Sequence, residues 1–172
     1  KKHCVLNIIA YACEKLVCKP EPATLKFLRE FKMQKIVVEA QQEIEFCDAM
    51  DKLEAMGVKH LPLKGYIVKN LYPSPDMRTM GDIDILIKPS QRQQVKEIMT
   101  SIGYKTLVYK KNNEDIYEKE PSITIEIHTE LFETKSIYFH HYKNIWNNLI
   151  KHSTNTEYEF SLDDFYIFIK CF

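Results

Sequence analysis

Apolar residues recur at helical spacing at both ends of the chain and in strand-like runs between. Residues 3 to 17 show the helical period; Pro20 and Pro22 break it, and Ala23 to Phe31 restart it. From Lys35 to Met56, Ile36, Val37, Ala40, Ile44, Cys47, Met50 and Leu53 recur among acids, which predicts an amphipathic helix with a solvated acidic face, ending at Gly57. The period then changes. Val58 to Leu63 reads as a strand, Tyr66 to Leu71 as a short helix, Tyr72 to Asp76 as a turn-rich loop and Asp82 to Ile87 as a second strand. Pro89 and Ser90 open a helix over Gln91 to Ser101, closed by Gly103. Tyr104 to Tyr109, Asp115 to Glu118 and Ile123 to Glu130 read as strands, with a turn at Lys111 to Asn113, and helix is expected from Ile137 onward. The sum is an α+β chain: a helical region at 1–57, a mixed core at 58–135 and a helical region at 136–172. The isoleucine-rich faces of the strands at 82–87 and 123–130 need cover, and the helix at 35–56 offers a matching stripe.

Composition narrows the class. With 172 residues, 45% of them hydrophobic, the chain can bury one sizeable core. Its 24 basic and 24 acidic residues cancel, which disfavours a long nucleic acid as partner and requires any basic site to be local. The five cysteines are odd in number and include no CxxC pair, so reduced thiols in a cytoplasmic protein are expected, with Cys13 and Cys18 as core fillers. No signal peptide or membrane span is evident, since Tyr11, Glu14 and Lys15 interrupt the first apolar run. The chain opens on Lys1 and stops within a helical pattern at Phe172, so a longer natural protein is expected, its apolar tail from Phe165 packed on a helical part or on another copy.

The chemistry concentrates in a few residues. Asp82 and Asp84 lie two apart in an apolar, β-branched run, so on a strand both carboxylates share one face. They repel unless a cation sits between them, and a hard divalent ion such as Mg²⁺ is the natural one. Phosphoryl and nucleotidyl transfer use that arrangement. In the last strand Ile123, Ile125 and Ile127 take one face while Thr124, Glu126, His128 and Glu130 take the other. That polar face is either solvent-exposed or lines a site; in the second case Glu126 is a third carboxylate and His128 orients it or touches substrate. Lys64-Gly65, between a strand and a helix start, lets backbone amides approach an anion while lysine adds charge. Arg78 is either a surface residue or a phosphate clamp.

Leu63-Lys64-Gly65, Tyr72-Pro73, the block from Arg78 through Gly81-Asp82-Ile83-Asp84 to Ile87, and Ile125-Glu126-Ile127-His128 together resemble the uncharacterised nucleotidyltransferases. This is a bacterial family of the polymerase-beta-like nucleotidyltransferase superfamily. The resemblance covers about residues 58 to 131 and implies a mixed-sheet core flanked by helices. It implies that Asp82, Asp84 and Glu126 are catalytic and hold Mg²⁺, with Mn²⁺ as substitute. It further implies that Lys64, Gly65, Arg78 and His128 bind a nucleoside triphosphate, whose nucleotidyl group passes to a hydroxyl of a small molecule, peptide or protein. One departure stands out: the superfamily places Gly-Ser or Gly-Gly where this chain has Gly65-Tyr66. Either Lys64 replaces the lost polar contact, or Tyr66 crowds the phosphate and the chain is an inactive nucleotide- or partner-binding module.

Overall fold

Between Ala23 and Ala55 the sequence has neither glycine nor proline, so nothing stops a helix once Pro22 has started it. The structure, a computed structural model, describes residues 5–121, 123–152 and 156–171. In it helix α2 runs unbroken from Pro22 to Ala55, 34 residues, where the periodicity predicts two helices. Helix α1, Leu6–Lys15, packs against it; the expected start at His3 and Cys4, and the end of the tail at Phe172, lie outside the described residues. The stop at Gly57 comes as predicted. Gly57 takes φ +70°, its N–H donates to Glu54 O (2.9 Å) and the Val58 N–H to Leu53 O (2.8 Å), satisfying carbonyls that the helix end would orphan.

Strand β1 (His60–Pro62), helix α3 (Lys64–Lys69), strand β2 (Ile83–Ile87) and helix α4 (Arg92–Ser101) follow, and the last ends at Gly103 by the same motif. Strands β3 (Lys105–Lys111), β4 (Glu114–Lys119) and β5 (Ile123–His128) complete a five-stranded sheet in the order β1-β2-β5-β4-β3. β2 and β5 are parallel; the other neighbours are antiparallel. The fold is α+β, a mixed sheet with flanking helices.

Strand alternation divides this sheet into two unlike faces. Ile83, Ile85, Ile87, Ile123, Ile125 and Ile127 point to one side, where Phe46, Ala49 and Leu53 of α2 and Val95, Ile98 and Met99 of α4 cover them. The helix expected as cover is thus the one that covers, with α4 beside it. On the opposite face Leu61, Leu63 and Leu86 are roofed by Tyr142, Ile145, Phe160 and Phe168. That roof departs from the all-helical expectation after Ile137. It consists of a one-turn helix α5 (Phe139–Tyr142), a two-stranded ribbon β6–β7 (Ile150–Lys151 with Tyr158–Glu159) and helix α6 (Leu162–Lys170). Ser161 caps α6, its hydroxyl accepting from the Asp164 N–H at 3.1 Å.

The cysteine expectation needs correcting. Cys13 is only half-buried, because α1 is a peripheral helix with one buried face, and Cys18 is exposed beyond the end of that helix. Among the described residues no helix is long and apolar enough to cross a membrane.

Candidate active site

β2 and β5 run side by side in parallel with Asp84 paired to Glu126 and Leu86 to His128. Residues paired in register face the same way, so Asp84, Glu126 and His128 stand together on the face away from the isoleucine core. His128 Nε2 donates to Asp84 Oδ1 at 2.9 Å and lies 4.0 Å from Glu126 Oε2. One ligand atom from each of the three lies within 4.8 Å of the others. Their side chains are 21–24% exposed, shielded but open to solvent on one side.

Asp82 sits one residue before β2, half-buried, at the edge of this group. It is close enough to be coupled electrostatically. Burial and then the Asp84 charge raise its carboxyl above the ordinary value. Glu126 is pushed up to about 7, first by burial, then by a hydrogen bond with Glu114, then by the charges of Asp82, Glu114 and Asp84. Burial works against a charged His128, but the bond to Asp84 and the charges of Asp84, Glu114 and Glu126 outweigh it and raise its pKa. Crowded carboxylates that lift one another's pKa are what a bound cation would relieve. The donor set of two carboxylates and an imidazole therefore fits a divalent ion.

The phosphate-side candidates border this group. Lys64, the first residue of α3, lines a cavity of about 130 Å³ with Leu63, Asp84, His128, Leu131 and Phe168. Gly65 is buried beside Asp84: a Cβ there would stand 3.8 Å from Asp84 Oδ2 and 3.4 Å from Met80 Sδ. Arg78 Nη1 donates to Gly65 O at 3.4 Å, tying the loop before Asp82 to the first turn of α3. The Tyr66 ring lies away on α2, stacked on Phe46 with centroids 3.6 Å apart, its hydroxyl donating to Glu43 at 2.9 Å.

Buried polar anchors hold these pieces. Lys69, fully buried, pairs with Glu39 at 2.6 Å and Glu43 at 2.8 Å, locking α3 onto α2. Asp76 accepts from Tyr11 (2.9 Å) and Asn7 (2.6 Å), fastening the Ser74–Arg78 loop to α1. The Gln42 amide donates to Met80 O at 3.3 Å. Nothing local in the sequence distinguishes Asp76, Lys69 and Glu114 from ordinary surface charges. Glu114 pairs across the sheet with His128 and so joins the acidic face. The run Glu114-Asp115-Ile116-Tyr117-Glu118 carries no clean apolar–polar alternation, so neither Glu114 on the site's face nor the buried Asp115 is marked in the sequence.

Residues 1–171 match the family described as uncharacterised nucleotidyltransferase, and the chain belongs to that family. No curated protein and no solved structure matches it.

Proposed function

We propose, from membership of the nucleotidyltransferase family, that this chain moves a nucleoside monophosphate from a nucleoside triphosphate to a hydroxyl acceptor, with a divalent metal ion, Mg²⁺ or Mn²⁺, held at Asp82, Asp84 and Glu126. The observation that carries the proposal is the convergence of Asp84 and Glu126 on adjacent parallel strands, with ligand atoms within 4.8 Å, beside Asp82. When bound, the ion would neutralise phosphate oxygens and polarise the α-phosphorus.

The chain's own residues would do the rest. Gly65 lacks a side chain where the backbone comes closest to Asp84, leaving room for a phosphate group. Lys64 and Arg78 bring positive charge to that side and offset the charge that develops on the leaving pyrophosphate. Glu126, ionised once a bound cation relieves the crowding of the carboxylates, can accept the proton of the attacking hydroxyl. Tyr66, turned onto Phe46 and Glu43, leaves the Lys64-Gly65 turn uncrowded, which supports an active enzyme over an inactive module.

The test incubates the chain with each α-labelled triphosphate, Mg²⁺ or Mn²⁺, and a panel of small-molecule, peptide and protein acceptors. Pyrophosphate release and label transfer are expected, and Asp84→Ala should abolish both while the melting temperature holds or rises. Absence of pyrophosphate with every triphosphate would leave the inactive module as the better account.

A further inference from the structure

We infer that His128 is itself a ligand of the ion at this site, and that its nitrogen tilts the site from Mg²⁺ toward Mn²⁺ and Co²⁺. This rests on the metal-dependent transfer proposed above.

Two donor atoms about 2.1 Å from one six-coordinate ion stand about 3 Å apart when they occupy neighbouring positions. His128 Nε2 and Asp84 Oδ1 are 2.9 Å apart, and Nε2 to Glu126 Oε2 is 4.0 Å. The first spacing is that of neighbouring donors and the second approaches the about 4.2 Å between opposite ones, so an ion bound by those two carboxylates would lie within reach of the imidazole nitrogen. The ring has open space beside it for an ion. It separates a cavity of about 130 Å³ lined by Lys64, Asp84 and Phe168 from one of about 160 Å³ lined by Asn113, Glu114 and Glu130. Its backbone is fixed on β5, opposite Leu86 on one side and Glu114 on the other. On ligation Nε2 sheds its proton to water, a proton remains on Nδ1, and the lone pair faces the ion.

The consequence is selectivity. Mg²⁺ prefers oxygen donors and near-ideal octahedral geometry, whereas imidazole suits first-row transition ions, whose affinity rises from Mn²⁺ to Co²⁺. A site of oxygens alone would lack that bias.

The experiment titrates the full chain with Mg²⁺, Mn²⁺ and Co²⁺ by calorimetry, for the unsubstituted protein, His128→Ala, His128→Asn and Glu126→Gln. Electron spin-echo spectra of the Mn²⁺ form are read for coupling to a directly bound ¹⁴N. Expected are ¹⁴N coupling, Mn²⁺ binding about tenfold or more tighter than Mg²⁺, and a loss of about tenfold in Mn²⁺ and Co²⁺ affinity in both His128 variants with Mg²⁺ changed less than about twofold. His128→Asn keeps a donor toward Asp84, so recovery of Mn²⁺ affinity in it would show that His128 only orients the carboxylate and would overturn the inference. Mn²⁺ binding that depends on Glu126 but lacks ¹⁴N coupling, or equal losses for Mg²⁺ and Mn²⁺, would overturn it while leaving the transferase proposal standing. No divalent binding at all would overturn both. Should the variants fail to fold, the ¹⁴N signal of the unsubstituted chain decides alone.

Discussion

Replacing Glu126 by Gln should make the metal-free protein more stable at alkaline pH and no more stable at acid pH. In the folded chain the Glu126 carboxyl is pushed from an ordinary 4.5 up to about 7 by burial, by its bond with Glu114 and by the charges of Asp82, Glu114 and Asp84. A pKa raised on folding means that the fold prefers the protonated form. The associated stability is fully present below about pH 4.5 and is lost as the pH rises through about 7. At about 1.4 kcal/mol per tenfold, a shift of this size corresponds to a few kcal/mol at most. The side chain is 21% exposed, and screening by water reduces the effect to about 1–2 kcal/mol.

Glutamine is neutral at every pH and can still bond to Glu114. The variant should therefore match the parent at pH 5 and exceed it by about 1–2 kcal/mol at pH 8, or about 2–8 °C in melting temperature for a chain of this size. Thermal melts in chelator from pH 4.5 to 8.5 test this. Adding Mn²⁺ should reverse the order, because an ion at a hundred times its dissociation constant stabilises the parent by about 2.7 kcal/mol and the variant by less. A variant less stable than the parent at pH 8 without metal would refute the reasoning and mark Glu126 as a structural partner of His128.

Gly65→Ala should leave the melting temperature unchanged or slightly raised, since alanine favours helix by about 1 kcal/mol and its Cβ would meet only the flexible Met80 Sδ at 3.4 Å and Asp84 Oδ2 at 3.8 Å. The same methyl should weaken triphosphate binding about tenfold, and unchanged affinity by calorimetry would remove Gly65 from the phosphate site. Lys69→Ala leaves Glu39 and Glu43 facing each other without their buried counter-charge; a loss of about 3 kcal/mol in urea unfolding is expected, at the low end for a broken buried pair because water reaches Glu43. A loss below about 1 kcal/mol would show that the pair is already screened. Lys64→Ala should reduce affinity for triphosphate more than for diphosphate or monophosphate, and equal losses would place the lysine away from the terminal phosphates.

Local signals determined much of this protein. Alternation at 83–87 and 123–128 assigned Asp84, Glu126 and His128 to one face and the isoleucines to the other, because a strand's side-chain direction is set by covalent geometry alone, while Asp82 lies just before the strand. The stops at Gly57 and Gly103 were equally local, each glycine supplying the positive φ that a helix end uses. What the chain alone left open was pairing between distant segments. That Asp84 lies level with Glu126, and that Glu114 arrives opposite His128, depends on which strands neighbour each other and in which register. The same holds for charges that read as surface residues. Lys69 is buried between Glu39 and Glu43, Asp76 beneath α1, and Asp115 inside the core, held at 2.7 Å by Arg92. A lone charged residue in a sequence implies exposure, and only the tertiary structure supplies the partner, tens of residues away, that makes its burial affordable. The long α2 belongs there too: helix across Lys32–Gln34 has little periodicity of its own, and it is the docking of α1 and the sheet along its length that makes one continuous helix the stable choice.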